Sequence, residues 1–458
     1  VAPLIPARLA GLTGATRGGV AGLAGAGAGA AAQFLTVVLV TRGTGQETAG
    51  LFFSGTALCL TVAAVLRLDA GNGLVHFIAR SRSSGYHRAS GYVRAALVPV
   101  AALSLATGAA VVLTTSDPVL RVLAVALPAV ACSGVVVSAT RGFGSMRPTV
   151  LLDGVLQPTA QLLLVGAVVL AGRDSVPLLA TAWALPYLPV LLLASIWLRR
   201  RLTRTPHPPG TVPPPGTACS PGAARDLWRH TWPRSLASGI QAVFQRLDVV
   251  IVALLAGPAE AAVYTAATRF KIVGQLAGQG LAQATQPRLV RALAEGDLPR
   301  ARRLYRSATL CLVMLTWPIW LGYAALAPWL LGAVFGDGYA GGAPVAFVLA
   351  ATMMLATACG MADVVLTSAG HTGSSLANLV AAVATAVALD LLLIPSMGSL
   401  GAALGWAGGT AVKNLLPLWR IHRLYGLHPF DTHSLTTPHT RQAPRAHDPT
   451  VPHTRQAP

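Results

Sequence analysis

The sequence predicts an all-α polytopic membrane protein of about twelve transmembrane helices, and three observations carry that reading. Of 458 residues, 53% are hydrophobic and only 11% are charged, against about 25% charged in a soluble domain. The apolar residues fall in runs long enough to span a bilayer, which takes about 20 residues. The formal net charge of +19 sits in short arginine clusters between those runs, so it reads as a topology signal and not as a nucleic-acid surface. Lys271 and Lys413 are the two lysines.

The spans run Gly18–Val40, Thr48–Leu66, Tyr92–Thr114, Val119–Ala139, Thr149–Leu170 and Val176–Leu198. After a break come Trp232–Leu255, Ala261–Thr285, Ser307–Phe335, Ala343–Thr367, Ser374–Ile394 and Leu400–Trp419. The second continues toward Ile78. The first reads as a span and not a signal peptide, because Phe34–Val40 extends it past any small-residue cleavage site. Its glycines at 22, 25, 27 and 29 suit close helix approach. With the N-terminus inside, the inner loops hold 21 arginines and the outer loops only Arg42 and Arg173. That asymmetry puts both termini in the cytoplasm of a plasma (inner) membrane protein.

Two six-helix units emerge, at 1–201 and 231–425. Between them 202–230 is rich in proline (Pro206, Pro208, Pro209, Pro213, Pro214, Pro215) and reads as an extended cytoplasmic linker. The halves echo one another at an offset of 212: Gly45, Ala49 and Phe52 over Gly257, Ala261 and Tyr264. Six spans per half preserve orientation, so these are parallel repeats. The tail 426–458 repeats Pro438–Pro444 as Pro452–Pro458 and, with too few apolar residues past Phe430 to form a core, reads as disordered.

Outer loops of roughly 4–9 residues leave no room for the catalytic domain of a glycan-assembling membrane enzyme. No Walker A, Gly-x-Ser-x-Gly or His-Glu-x-x-His motif occurs, and the five cysteines show no metal-ligand spacing. The chain therefore reads as a non-enzyme without cofactor or metal, whose function lies in intramembrane polar residues. Arg246 and Asp248 in the seventh span, and Arg269 and Lys271 in the eighth, match in depth at about 12–15 Å from the outer ends of straight helices. That depth pairs Asp248 with Arg269 and Arg246 with Lys271. The four are either an ion-paired packing element or the wall of an anion-attracting cavity. Arg67 with Asp69, and Lys413 beside Asn414, are further intramembrane charges. Arg94, Asp153, Arg234, Asp363 and Asp390 fall close enough to a membrane surface to be solvated there.

The order of several motifs carries a resemblance. Gln245-Arg246-Leu247-Asp248-Val249-Val250-Ile251 is followed by Gly257, by Tyr264 through Arg269, and by Pro287-Arg288-Leu289. Then come Glu295-Gly296-Asp297, Phe335-Gly336 with Tyr339, and the glycine-rich Leu400–Gly405. In this order the chain resembles the polysaccharide exporters, the O-antigen-type lipid-linked oligosaccharide flippases of the multidrug/oligosaccharidyl-lipid/polysaccharide (MOP) superfamily. The resemblance implies two six-helix bundles forming a V around a central cavity. It also implies movement of a polyprenyl-pyrophosphate-linked oligosaccharide from inner to outer leaflet by alternating access. On that reading Arg246, Lys271, Arg269, Asp248, Arg67 and Lys413 form the substrate-binding set. The partners are an anionic lipid-linked glycan and the bilayer, with other glycan-assembly membrane proteins as further candidates and no nucleic acid. Two alternatives stay open: an ion-coupled multidrug antiporter of the same superfamily, and a non-transporting scaffold of a glycan-assembly complex.

Overall fold

The computed structural model describes residues 25–81, 89–203 and 221–426. Among them the chain is helical from end to end, in sixteen α-helices. The first part holds α1 (25–43), α2 (Gln46–Leu66), α3 (Ala70–Arg80), α4 (Ala89–Thr114), α5 (Pro118–Gly142), α6 (Gln157–Leu170), α7 (Val176–Ala184) and α8 (Tyr187–Thr203). The second holds α9 (Pro221–Leu255), α10 (Pro258–Thr268), α11 (Lys271–Ala294), α12 (Leu298–Phe335), α13 (Ala343–Ala358), α14 (Ala362–Ser368), α15 (Thr372–Met397) and α16 (Ser399–Tyr425). A π-helical stretch, Thr149–Leu156, leads into α6.

Within the described residues the predicted spans fall on helix, the sixth, eighth and tenth with a break inside them, and nine segments among the described residues are long and apolar enough to cross a membrane. The other three predicted spans fall short for local reasons. The helix of the first is described only from residue 25. The eighth is broken between α10 and α11 at Arg269 and Phe270. In α16 the polar pair Lys413 and Asn414 and repeated glycines dilute the apolar content.

The breaks have physical causes. Between α2 and α3, Leu68 and Asp69 adopt φ of 49° and 53°, a left-handed turn that interrupts the ladder of a non-glycine sequence. The α13–α14 joint turns on Gly360 at φ 64°, which glycine adopts without a Cβ clash. The Asp117 side chain accepts from the backbone N–H of Val119 and Leu120 to start α5, and Asp297 does so from Arg300 to start α12.

One boundary needs correction. The predicted linker 202–230 is too long, because α8 runs to Thr203 and α9 starts at Pro221. Proline is well suited to a first helical turn. Beyond it Leu227 is fully buried and the Trp228 indole N–H donates to the Ala95 carbonyl at 3.1 Å, so tertiary packing holds this polar stretch as helix. The proline run and the repeated tail lie outside the described residues.

Small residues govern the close contacts. A Cβ on Gly25 would sit 2.6 Å from the Val150 side chain, and one on Gly29 2.5 Å from the Gly154 carbonyl. The glycine-rich α1 thus lies directly on the π-helical stretch, as its composition predicts; Gly27 faces open space and Gly22 is outside the described residues. Helices α2 and α10, which begin at the positions related by the 212-residue offset, cross where Gly50 meets the Pro258 carbonyl. Near that crossing the Arg42 guanidinium donates to the carbonyls of Ala333 and Val334, and the Gln46 amide donates to the Gly338 carbonyl at 2.7 Å. At the other end of α2, α9 is fastened by Arg234 Nε to Asp69 Oδ2 at 3.3 Å and by the Ser235 hydroxyl donating to the Leu68 carbonyl at 2.5 Å.

Candidate functional site

Three cavities adjoin at Arg246, a partly buried residue in the middle of α9. The first, about 260 Å³, lies among α1, α2, α9, α10 and α11 and is bordered by Gln33, Phe53, Arg246, Asp248, Arg269 and Lys271. The second, about 330 Å³, shares Arg246 and Arg269 and opens toward Arg67, Arg141, Asp153 and Gln157. The third, about 420 Å³, runs from Arg246 to Asp363, Asn378 and Lys413. All six residues singled out from sequence therefore border this connected set of cavities, although they come from three helices (α9, α11 and α16) and from the α2–α3 and α10–α11 joints.

The pairing inside the set differs from the one helix depth predicts. Asp248, 6% exposed, accepts the Tyr264 hydroxyl on Oδ2 at 2.6 Å and stands 3.8 Å from Lys271 Nζ. The Lys271 ammonium also lies 4.4 Å from the centre of the Trp406 ring, a cation–π contact. Asp248 is thus the partner of Lys271, not of Arg269. The depth estimate treats the eighth span as one straight helix. The break at Arg269–Phe270 ends α10 and restarts the chain as α11, and this reorientation turns Lys271 toward Asp248. Arg269 instead faces the Phe53 ring at 5.9 Å, and its buried Nε has no hydrogen-bond partner.

Arg67 donates from Nη2 to the Val130 carbonyl at 3.2 Å. It lies over Gly134, where a Cβ would come 2.7 Å from Cζ; a larger residue would displace the guanidinium. Arg141 donates to the Ser138 hydroxyl at 2.6 Å. The Nε atoms of Arg67 and Arg141, like that of Arg269, are buried without a partner. Lys413 packs 5.3 Å from the Phe244 ring.

Three residues carry more of the site than their sequence positions suggest. Asp153, read as solvated at a membrane surface, borders the second cavity and is its single acid among four arginines, within the described residues. Arg141, one of the 21 arginines counted in the inner loops from sequence, lies in the last turn of α5 and borders the same cavity. Asp390, also read as near-surface, is 3% exposed and packs against Gly405 of α16. Asp153 lies in the π-helical stretch Thr149–Leu156, whose departure from the 3.6-residue period means that spacing in the sequence does not place it on the cavity.

Chemically, the second cavity is walled by four guanidinium groups and one carboxylate, and behind its surface Arg67, Arg141 and Arg269 each leave Nε buried without a hydrogen-bond partner. A buried donor without a partner costs roughly 1–3 kcal/mol, more when charged. An anion, and above all the bidentate oxygens of phosphate, satisfies guanidinium donors best.

The sequence model described as polysaccharide biosynthesis protein matches residues 16–293, more than half of the chain. No curated protein matches it. Among solved structures, it is similar to an inward-facing conformation of a multidrug resistance MATE family transporter of the MOP superfamily. That match has a TM-score of 0.67 at 19% identity and covers 86% of this chain and 94% of the other. It is also similar to a MOP superfamily transporter from Pyrococcus furiosus described as having a binding pocket of reverse polarity that suggests a different function. There the TM-score is 0.57 at 17% identity, over 89% and 94% of the two chains. An outward-facing MATE conformation gives a TM-score of 0.53 at 18% identity, over 89% and 94%. These likenesses establish the fold, and the resemblance read from the motifs holds at that level. The chain belongs to the polysaccharide biosynthesis protein family, with the all-helical membrane fold of the MOP-superfamily transporters.

Proposed function

We propose that this member of the polysaccharide biosynthesis protein family is a flippase, which moves a polyprenyl-pyrophosphate-linked oligosaccharide from the inner to the outer leaflet of the plasma membrane. It does so by alternating access between two six-helix halves, twelve spans in all, with both termini cytoplasmic. One observation carries this reading: Arg67, Arg141, Arg246 and Arg269 converge on one cavity that a single carboxylate, Asp153, faces. A cationic drug entering there would meet net repulsion, whereas a pyrophosphate would meet a wall of net positive charge. In a low-dielectric cavity these charges act more strongly than at a surface. Binding of the pyrophosphate would neutralise charge that otherwise opposes closure of the halves around it.

The antiporter reading rests on a buried acid, and Asp390 is one. It borders a small cavity with Asp248 and Trp406, which touches the first cavity only through Asp248, and it lines none of the three cavities that meet at Arg246. It therefore suits internal packing better than a cationic drug path.

The test is a deletion strain complemented with the wild-type gene. Lipid-linked glycan should accumulate in the inner leaflet on deletion and return to the outer leaflet on complementation, as read by a leaflet-selective probe. Normal outer-leaflet glycolipid in the deletion strain, together with altered drug susceptibility, would overturn the proposal in favour of the antiporter.

A further inference from the structure

The second cavity carries groups that a pyrophosphate does not use. Asp153, Gln157 and Gln161 follow one another at i, i+4 and i+8 along the π-helical stretch and α6, and all three border the cavity, with Gln33 of α1 on its rim. Gln161 donates its amide N–H to the Trp183 carbonyl at 3.0 Å. Gln33 is exposed and borders both the first and the second cavity. No arginine among the described residues comes within ion-pair distance of the Asp153 carboxylate, so that carboxylate is not consumed by the cations around it. Trp183 and Tyr187, edge to face at 5.3 Å, supply an aromatic wall.

Carboxylate and amide oxygens are acceptors. Beside an anionic pyrophosphate the Asp153 carboxylate would repel it, whereas carboxylate and amide oxygens together pair well with O–H and N–H donors, and the glutamine amides can donate in return. A sugar presents such donors around its ring, along with C–H faces that pack on aromatic side chains. The backbone supports the arrangement. Short π-helical stretches recur at functional sites, and this one is held from behind by α1, where Gly29 leaves room for the Gly154 carbonyl.

We infer that Asp153, Gln157 and Gln33 form a glycan subsite, which binds the sugar nearest the pyrophosphate while Arg246 and Arg269 hold the pyrophosphate itself. This rests on the flippase reading and adds a division of labour to it: the arginines recognise what all such lipids share, and the acid and amides recognise what distinguishes them. The volume of about 330 Å³ falls in the usual range of small-ligand sites, about 300–1,000 Å³.

Full-length protein in lipid nanodiscs is titrated with two probes, polyprenyl pyrophosphate and the same lipid bearing one N-acetylhexosamine. The wild type should bind the sugar-bearing lipid at least about tenfold more tightly, the worth of one to two well-placed hydrogen bonds. The paired change Gln33→Leu with Gln157→Leu, and separately the nearly isosteric Asp153→Asn, should collapse that ratio to within about twofold. Arg246→Ala should weaken both lipids and keep the ratio. A ratio that survives in both subsite variants, or that is absent in the wild type, overturns the subsite and leaves the flippase reading standing. If the wild type binds neither lipid, the flippase reading falls and the subsite with it. Each variant is checked for wild-type elution and melting, and Asp153→Asn keeps the test decisive if the double leucine variant does not fold.

Discussion

The charge clusters of the two halves are built on opposite plans. In the C-terminal half Asp248 is closed off: Tyr264 donates to it, Lys271 pairs with it, and Trp406 covers the lysine. In the N-terminal half Arg67 and Arg141 each make one hydrogen bond and leave Nε buried and unfilled, with Asp153 nearby but unpaired. A closed cluster has its partners within the protein and reports on packing. An open one keeps donors for something that is not protein. The difference teaches that intramembrane charge alone does not mark a binding site; unfilled hydrogen-bonding capacity beside a cavity does.

The largest expected effect tests the open cavity, whose wall takes Arg246 and Arg269 from the C-terminal half as well as Arg67 and Arg141 from the N-terminal one. Arg246→Ala or Arg269→Ala should lower glycolipid flipping in proteoliposomes by about thirtyfold or more, since losing a buried charged contact costs about 2–5 kcal/mol, while the amount of inserted protein stays normal. Flipping at the wild-type rate in both would show that these arginines are packing elements.

The closed side should respond in stability. Asp248→Ala leaves Lys271 buried without its carboxylate and should destabilise the fold by about 3–5 kcal/mol, read as a lower melting temperature and less protein in the membrane. Changing both partners, Asp248→Asn with Lys271→Met, should recover much of that loss. A double variant no better than the single would mean that Asp248 and Lys271 are not coupled.

Two glycines sharpen the contrast at smaller scale. Gly405→Ala pushes a methyl group into Asp390 and should cost about 1–3 kcal/mol of stability, as overpacking does. Gly134→Ala instead displaces the Arg67 guanidinium and should slow flipping more than it lowers the melting temperature. The reverse ranking would erase the distinction between the halves. The smallest effect should come from deleting 206–215, a stretch with no apolar face to pack; glycan export should stay within a few-fold of normal, and complete loss with normal protein levels would assign the linker a recognition role.

Helix placement was legible because a bilayer demands about 20 apolar residues per crossing, and this chain separates its apolar runs with arginines. The list of cavity residues was legible for a related reason: charges inside apolar runs are too costly to face lipid, so Arg67, Asp248, Arg269, Lys271 and Lys413 had to turn inward.

What each of them meets was decided by tertiary structure. Sequence depth assumes straight helices, and the break at Arg269–Phe270 hands Lys271 to Asp248 while leaving Arg269 open. Asp153 borders the second cavity from a π-helical stretch backed by Gly25 and Gly29 of α1, more than a hundred residues earlier in the chain. The helical start of α9 at Pro221 depends on burial of Leu227 and the bond from Trp228 to α4. By itself the sequence determined which stretches are apolar enough to lie in the membrane, and that the charges well inside them, Arg67, Asp248, Arg269, Lys271 and Lys413, must hide there, since both follow from the free energy of transfer of each segment. Which of those charges are satisfied, and which stay open to a ligand, only the packing of distant helices could decide, because hydrogen bonds and ion pairs act over a few ångströms between residues that sequence spacing does not bring together.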